Sequence, residues 1–264
     1  MHKLKLIFFL FISLNLFCGL SMVERTPVKD KQMFQMLPGV QGDITCVRDK
    51  NKVIRLIFVR HGETVSNVEK NVAGRTLDTD LTEMGIAQAE IVARQLKGVK
   101  FEKIYTSPML RAKRTAHILS KYDPHFLEED PRLHERFYGP FEGISDEFWR
   151  LERANQAAAL ESLSTFEEKF AYKSDSTVES FGEIQARVDA FIQDIAQTAV
   201  TGNYLVVTHA GLMKTLFMAK SAEAFYDLDH CDFSCNNCAV IVVEVRPSGE
   251  YSIVAVQGFE FLEK

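Results

Sequence analysis

Two short apolar segments, far apart in the chain, each end at a histidine that is followed closely by glycine. Residues 56–59 lead directly into Arg-His-Gly at 60–62, and residues 204–208 lead into His-Ala-Gly at 209–211. Nearly continuous apolar runs are typical of strands covered on both faces of a parallel sheet. The carboxyl ends of such strands meet at one edge, where open α/β sheets bind ligands. The sequence therefore predicts one site that contains both histidines.

Further strands and helices are predicted between these two segments. The apolar residues between Thr82 and Gly98 share one helical face, which predicts a helix. Thr82 is predicted to cap the start of this helix, and the helix is predicted to end near Gly98. Residues 103–106 predict a short strand, after which Ser107 is predicted to cap a second helix with Pro108 at its first position. Strands that alternate with helices indicate an α/β domain with a parallel sheet.

The second half of the chain continues this alternation. Residues 184–195 show helical periodicity, and a helix is predicted from about Gly211. The C-terminal end predicts a hairpin of strands at 239–245 and 251–257, whereas residues 144–176 contain helical sequence without a strand. We predict a three-layer α/β sandwich, with a mostly parallel central sheet, helices on both faces and a small helical cap insertion at about 144–176.

The N-terminal segment predicts export. Lys3 and Lys5 precede an apolar run at residues 6–20, and small residues stand near Ser21. The run is shorter than the ~20 residues that a membrane span usually needs, which favours a signal peptide at 1–21 that is cleaved after Ser21. We expect a periplasmic or secreted protein, or a membrane-anchored one if the segment is not cleaved. Residues 22–52 are predicted to form a lead-in segment to the domain at 53–264.

The overall charge gives no reason to expect a polyanionic partner. The chain has 31 Lys and Arg against 36 Asp and Glu, a net charge of −5, so binding to nucleic acid is not predicted. An anion would have to be held by a local cluster of donors. Arg111 belongs to such a cluster because it falls in the first turn of the helix predicted after Ser107, at the same sheet edge as the two histidines.

Four cysteines follow the predicted signal, and three of them lie close together. Cys231, Cys235 and Cys238 form a C-x3-C-x2-C pattern, while Cys46 stands alone. Export would permit a disulfide within residues 231–238, although the spacing does not assign its partners. The pattern lacks the second matching pair that a zinc site needs, so no metal site is predicted.

An ordered series of motifs carries a family resemblance. In chain order they are L-I-F-V-R-H-G-E-T from residue 56 with Asn67, Gly74-Arg75, Leu81-Thr82 with Gly85 and Gln88, Ser107-Pro108 with Arg111-Ala112 and Thr115-Ala116, Leu133-His134-Glu135 with Gly139 and Glu142-Gly143, Glu179-Ser180 with Arg187, and Thr208-His209-Ala210-Gly211. The series resembles the histidine phosphatase superfamily, in the branch that includes phosphoglycerate mutases, fructose-2,6-bisphosphatases and broad-specificity phosphatases. The acid phosphatase and phytase branch is less similar.

The resemblance implies a role for each matching residue. His61 would be the nucleophile that forms a phosphohistidine, and Glu135 would be the proton donor and acceptor. A phosphoryl group spreads charge over three oxygens, so preorganised donors supply most of the catalysis. The residues expected to bind the phosphorylated substrate are Arg60, His61, Asn67, Gly74, Arg75, Arg111, His209 and Ala210. Three other carboxylates remain alternatives to Glu135, namely Glu63, Glu129 and Glu142. No metal and no cofactor is implied.

Two alternatives to a phosphatase stay open. Glu135-Arg136-Phe137-Tyr138-Gly139 resembles the E-R-x-Y-G segment of the mutases, but Ile144-Ser145-Asp146 stands where mutases carry a lysine. Glu142-Gly143 resembles the phosphatase version, and export argues against a glycolytic mutase. A catalytically silent protein that binds a phosphorylated ligand is the other alternative. We predict hydrolysis of phosphate monoesters, with a small phosphorylated molecule as substrate.

Overall fold

A computed structural model describes residues 53–122, 127–219 and 231–263, together with Ile44 and Val47. The predicted signal at 1–21 lies outside the described residues, as does the lead-in at 22–52 apart from Ile44 and Val47. In the described part of the chain, no helix is both long enough and apolar enough to cross a membrane.

One sheet of six strands forms the centre of the fold. The strands are β1 (Ile54–Arg60), β2 (Phe101–Thr106), β3 (Leu127–Glu129), β4 (Gly202–Thr208), β5 (Cys231–Val245) and β6 (Tyr251–Glu263). Their order is β3-β2-β4-β1-β5-β6. The strands β1 to β4 pair in parallel, whereas β5 pairs antiparallel with both β1 and β6. The predicted, mostly parallel sheet is confirmed.

Helices cover both faces of this sheet. They are α1 (Val65–Val68), α2 (Glu83–Gln95), α3 (Leu110–Leu119), α4 (Asp146–Glu161), α5 (Phe166–Ala171), α6 (Phe181–Thr198) and α7 (Ala210–Met218). One buried cluster joins α6 and α7 to the strand face that carries Leu56 and Phe58. A second cluster joins α2 and α3 to the face that carries Ile57 and Val59. Successive strand residues point to opposite faces, so both faces are buried and the three-layer architecture is confirmed.

The start of α3 differs from the prediction. The helix begins at Leu110 with Met109 as its N-cap, so the prediction that Ser107 caps it at Pro108 is wrong. The Ser107 N–H donates to the Val207 carbonyl at 2.9 Å, which continues the pairing of the sheet past the end of β2. Ser107 still follows the extended course of β2, and the first helical residue is Leu110, two positions later than the Ser-Pro signal suggests.

The C-terminal hairpin is longer than its sequence pattern predicts. Its strands extend back to Cys231 and forward to Glu263, because pairing resumes beyond an irregularity between Cys235 and Val240. The segment predicted as a cap insertion contains α4 and α5. Its function as a cap stays a prediction.

The disulfide that export would permit within residues 231–238 is not formed. Cys235 and Cys238 are both free thiols, and the two side chains belong to different buried clusters on opposite faces of the sheet. They cannot meet without breaking the sheet. Burial raises the pKa of Cys235 to about 11 and that of Cys238 to about 12, so both remain protonated and unreactive at neutral pH.

Candidate active site

The turn after β1 presents a buried imidazole in a defined protonation state. The His61 N–H donates to the Thr208 carbonyl at 3.0 Å, which ties the turn to the end of β4. His61 Nδ1 lies 2.8 Å from the Gly62 carbonyl. A carbonyl oxygen only accepts hydrogen bonds, so Nδ1 carries the proton and Nε2 keeps its lone pair.

The surroundings of His61 keep this imidazole neutral. Its side chain is buried, with 3% of the residue exposed. Burial, together with the positive charges of Arg60 and Arg111, lowers the pKa of His61 well below its usual value of 6.5. A neutral imidazole with a free Nε2 is a competent nucleophile at neutral pH.

Two arginines and a second histidine place donors around His61. Arg60 donates through Nη1 to the Cys235 carbonyl at 2.5 Å, and Arg111 donates through Nη2 to the Gly74 carbonyl at 2.8 Å. Arg111 Nη1 also pairs with Asp78 at 3.0 Å. Within the described part of the chain, three buried nitrogen atoms of these residues have no hydrogen-bond partner, namely Arg60 Nε, Arg111 Nε and His209 Nδ1.

His209 faces His61 and is held by Ser107. The two imidazole rings have centroids 5.2 Å apart, and His209 Nε2 lies 2.8 Å from Ser107 Oγ. Burial, followed by the charge of Arg111 and the proximity of His61, lowers the pKa of His209 well below 6.5. When the Ser107 hydroxyl donates to Nε2, the proton of the neutral ring sits on Nδ1, the atom without a partner.

Thr115 joins the turn that carries His61 to the helix that carries Arg111. Its Oγ1 accepts from the Gly62 N–H at 3.0 Å and donates to the Arg111 carbonyl at 2.8 Å. The threonine is fully buried. It therefore fixes the position of His61 relative to Arg111 through two hydrogen bonds.

The predicted proton donor is fixed by two backbone N–H groups. Glu135 Oε1 accepts from the Arg136 N–H at 2.7 Å, and Oε2 accepts from the Gly211 N–H at 3.2 Å. Gly211 lies in the first turn of α7, whose N-cap is His209. The Glu135 carboxylate is buried at the N-terminal end of α7, which begins directly after His209. Glu135 and His209 therefore belong to one site.

The other carboxylates considered from sequence have structural partners. Glu63 Oε1 accepts from the Thr82 hydroxyl at 2.7 Å, Glu129 pairs with Lys113 at 3.4 Å, and Glu142 accepts from the backbone N–H of Arg75 at 2.9 Å. These contacts hold loops and helix ends together. The geometry favours Glu135, because its carboxylate accepts a hydrogen bond from the first turn of α7, directly after His209.

The remaining predicted binding residues take different positions. Asn67 belongs to the capping box of α1, Ala210 is the first residue of α7, and the Gly74 carbonyl holds Arg111. Arg75 donates through Nε to the Glu135 carbonyl at 2.9 Å and through Nη2 to Glu179 at 2.7 Å. The side chain of Arg75 therefore supports the backbone of Glu135. Direct contacts from these four residues to a substrate stay predictions.

Three residues with clear contacts to the site had no site role from sequence. Ser107 was interpreted as a helix cap, Thr115 as part of a motif, and Asn237 was not singled out. Among the described residues, no group of His, Cys, Asp and Glu side chains is arranged to hold a metal ion.

Comparison with known proteins agrees with this geometry. The model of the histidine phosphatase superfamily, branch 1, matches residues 56–257. A Hydrogenobacter thermophilus protein with the provisional name phosphoserine phosphatase 2 is 34% identical over 162 residues, 61% of this chain and 76% of that protein. The metal-independent phosphoserine phosphatase of Arabidopsis thaliana is 30% identical over 179 residues, 65% of this chain and 71% of that protein.

A solved structure shows the same likeness. A variant of the Entamoeba histolytica phosphoserine phosphatase, in complex with phosphoserine, is 25% identical and has a TM-score of 0.62. The alignment covers 77% of this chain and 96% of that one. The sequence match extends from β1 to β6 and includes every element that carries the site. This chain belongs to branch 1 of the histidine phosphatase superfamily.

Proposed function

We propose that this chain is a metal-independent phosphatase that hydrolyses small phosphate monoesters through a phosphohistidine on His61. The observation that carries the proposal is the neutral imidazole of His61 beside the unpartnered nitrogens of Arg60, Arg111 and His209. Buried N–H donors without partners are destabilising in a native protein. A phosphoryl group bound at His61 Nε2 would accept hydrogen bonds from these donors. Each of its oxygens carries negative charge and needs such a donor.

The first half of the reaction transfers the phosphoryl group to the enzyme. His61 Nε2 attacks phosphorus, the bond from phosphorus to the ester oxygen breaks, and its electron pair leaves with that oxygen. Glu135, in its protonated form, donates a proton to the leaving oxygen. Arg60 and Arg111 neutralise the charge that develops on the phosphoryl oxygens.

The second half returns the enzyme to its starting state. A water molecule attacks the phosphorus of phosphohistidine while the Glu135 carboxylate takes a proton from it. The bond between nitrogen and phosphorus breaks, and its electron pair returns to His61 Nε2. Inorganic phosphate leaves, and Glu135 is again protonated.

The relatives support a small phosphorylated substrate. Two curated relatives are named as phosphoserine phosphatases, one of them metal-independent, and the Entamoeba structure contains phosphoserine. Phosphoserine is therefore the first substrate to test, in a panel of sugar phosphates, phosphoglycerates and aryl phosphates.

The decisive assay is phosphate release by the full chain in the presence of a chelator. We expect turnover with EDTA, and loss of about 10²- to 10⁴-fold in kcat for Glu135→Gln on alkyl esters. The loss should be smaller on an aryl ester whose leaving group needs no proton. Glu129→Gln, at the exposed carboxylate that pairs with Lys113, is the matched control and should behave like the wild type.

Three results would contradict the proposal. Complete loss of activity on metal removal would contradict metal independence. Interconversion of 2- and 3-phosphoglycerate with negligible hydrolysis would favour the mutase, and binding of phosphate esters without turnover would favour a silent binding protein.

Export is a separate part of the proposal and is supported only by the sequence of residues 1–21. N-terminal sequencing of the chain produced by an exporting host should show a new terminus after Ser21. A full-length chain in the membrane fraction would instead indicate an uncleaved anchor.

A further inference from the structure

The C-terminal hairpin carries an irregular segment at residues 235–238 that lies against the site. β5 runs antiparallel to β1, and Val240 pairs with Val59 next to the carboxyl end of β1. The residues of β5 that precede Val240 therefore extend past the end of β1. This places the segment beside Arg60 and His61.

The backbone of this segment is strained. The register between β5 and β6 shifts between Cys235 and Val240, and Cys238 has a φ of 59°. A positive φ is uncommon for a residue with a side chain and persists only where its surroundings impose it, often at functional sites. Contacts with neighbouring residues must therefore hold Cys238 in this backbone conformation.

The backbone of the segment contacts two of the catalytic residues. The Cys235 carbonyl accepts from Arg60 Nη1 at 2.5 Å. The Cys238 N–H donates to the His61 carbonyl at 3.3 Å. The irregular segment thus fixes one side of the turn that carries the nucleophile.

The side chain of Asn237 bridges two residues of the same turn. Its Nδ2 donates to the His61 carbonyl at 3.3 Å and to Asn67 Oδ1 at 3.1 Å. Asn67 Oδ1 also accepts from the Thr64 N–H at 3.2 Å. A backbone carbonyl only accepts and a backbone N–H only donates, so these partners fix which end of each amide is oxygen and which is nitrogen.

This arrangement determines what Asn67 can offer a ligand. Both donors occupy its Oδ1, and among the described residues no acceptor is bonded to its Nδ2. We infer that Asn237 is a positioning residue of the anion site, which holds Asn67 with its amide N–H groups available to a phosphoryl oxygen and steadies the backbone of His61. The inference rests on the proposed function, since it assigns Asn67 to the phosphoryl group.

The test is a double-mutant cycle in the full chain. Asn237→Ala, Asn67→Ala and the double variant are assayed for kcat and KM on p-nitrophenyl phosphate, and for the Kd of orthovanadate as a phosphoryl mimic. We expect a loss of about a hundredfold in kcat/KM for Asn67→Ala and about tenfold for Asn237→Ala. The double variant should lose much less than the product of the two single losses, because Asn237 acts mainly through Asn67.

A second variant keeps the size of the side chain. Asn237→Asp replaces the Nδ2 donor with a carboxylate oxygen opposite two acceptors, His61 O and Asn67 Oδ1. It should therefore lose more activity than Asn237→Ala while its circular dichroism spectrum stays like that of the wild type. Asn236→Ala is the matched control, since the Asn236 side chain contacts Ser234 at 3.1 Å, and it should keep nearly full activity.

The outcomes separate this inference from the proposed function. Wild-type turnover with additive losses in the cycle, or an Asn237→Asp variant as active as Asn237→Ala, would overturn the inference and leave the phosphatase standing. The opposite result is a wild type without turnover whose orthovanadate Kd depends on Asn237 only when Asn67 is present. That result would contradict the phosphatase activity and leave the positioning role of Asn237 standing.

Discussion

Glu135 and Gly211 are in contact through the carboxylate of one and the backbone of the other. Glu135 Oε2 accepts from the Gly211 N–H at 3.2 Å, and a methyl group built on Gly211 would overlap Glu135 Oε1. The Glu135 carboxylate therefore packs directly on the first turn of α7, at a position where only glycine leaves enough room for it.

Gly211→Ala should displace the Glu135 carboxylate and impair proton transfer. Alanine is favoured over glycine in a helix by about 1 kcal/mol, so part of the steric cost to stability is offset. We expect kcat on alkyl phosphates to fall about a hundredfold and kcat on aryl phosphates to fall much less. Steady-state kinetics on both ester types will measure this, and equal losses on the two would show that the carboxylate has not been affected selectively.

Glu179→Gln should weaken the support behind Glu135. Glu179 Oε1 accepts from Arg75 at 2.7 Å and from Arg187 at 2.8 Å, and Arg75 also donates to the Glu135 carbonyl. Loss of the charge should lower the free energy of unfolding by about 1.5–3 kcal/mol, measured by urea denaturation.

Kinetics distinguish positioning of Glu135 from a purely structural effect of Glu179. In the variant, kcat on alkyl esters should fall more than kcat on aryl esters. Glu183→Gln is a control, because its exposed carboxylate pairs with Lys173 at 2.7 Å and accepts from the Ser180 N–H at 2.9 Å rather than contacting Arg75 or Arg187. A fall in stability with no change in the ratio of the two kcat values would contradict the positioning effect.

Ser107→Ala should disturb the protonation state of His209. The serine hydroxyl lies 2.8 Å from His209 Nε2, and without it neither ring nitrogen of His209 has a partner that selects the Nδ1–H tautomer. We expect about a tenfold fall in kcat/KM and a weaker affinity for orthovanadate. Ser107→Thr keeps the hydroxyl and should recover part of the loss. Wild-type kinetics in Ser107→Ala would show that His209 does not need this partner.

The two buried histidines should make stability depend on pH. Their pKa values are well below 6.5 in the folded protein, whereas the unfolded chain binds protons near 6.5. Below that pH the unfolded state holds more protons, so the free energy of unfolding should fall as the pH decreases, by up to about 1.4 kcal/mol per pH unit for each histidine.

Urea denaturation between pH 7.5 and 5.5 will measure this slope. His209→Gln should have a shallower slope than the wild type, because one buried group no longer titrates. His117→Gln, at an exposed position of α3, should keep the wild-type slope. Identical slopes in all three proteins would mean that His209 is not responsible for the dependence.

The parts of the fold that sequence predicted are those with local patterns. The apolar runs of β1 and β4 and the polar residues that follow them lie within single segments, so their meeting at one edge follows from parallel pairing. The role of Ser107 could not be predicted, because a Ser-Pro pair indicates a helix start, whereas the contact of Ser107 with His209 depends on β2 lying beside β4. Spacing alone does not show that Cys235 and Cys238 face opposite sides of a sheet, so the sequence could not decide whether these cysteines form a disulfide.

Asn237 was missed for a related reason. Its contacts depend on the antiparallel register of β5 against β1 and on an irregularity opposite β6, neither of which has a local sequence signal. One geometric clue was present. When a strand runs antiparallel to β1, the residues that precede its paired part lie at the edge of the sheet where β1 ends.

The most direct test of catalysis by His61 is isolation of the phosphorylated enzyme. The full chain is mixed with a phosphomonoester, quenched in alkali to preserve the acid-labile bond between nitrogen and phosphorus, and digested for mass spectrometry. We predict one phosphoryl group on His61, formed at least as fast as steady-state turnover and absent from His61→Ala, which should be inactive. Turnover by His61→Ala, or a phosphoryl group on any other residue, would contradict the mechanism.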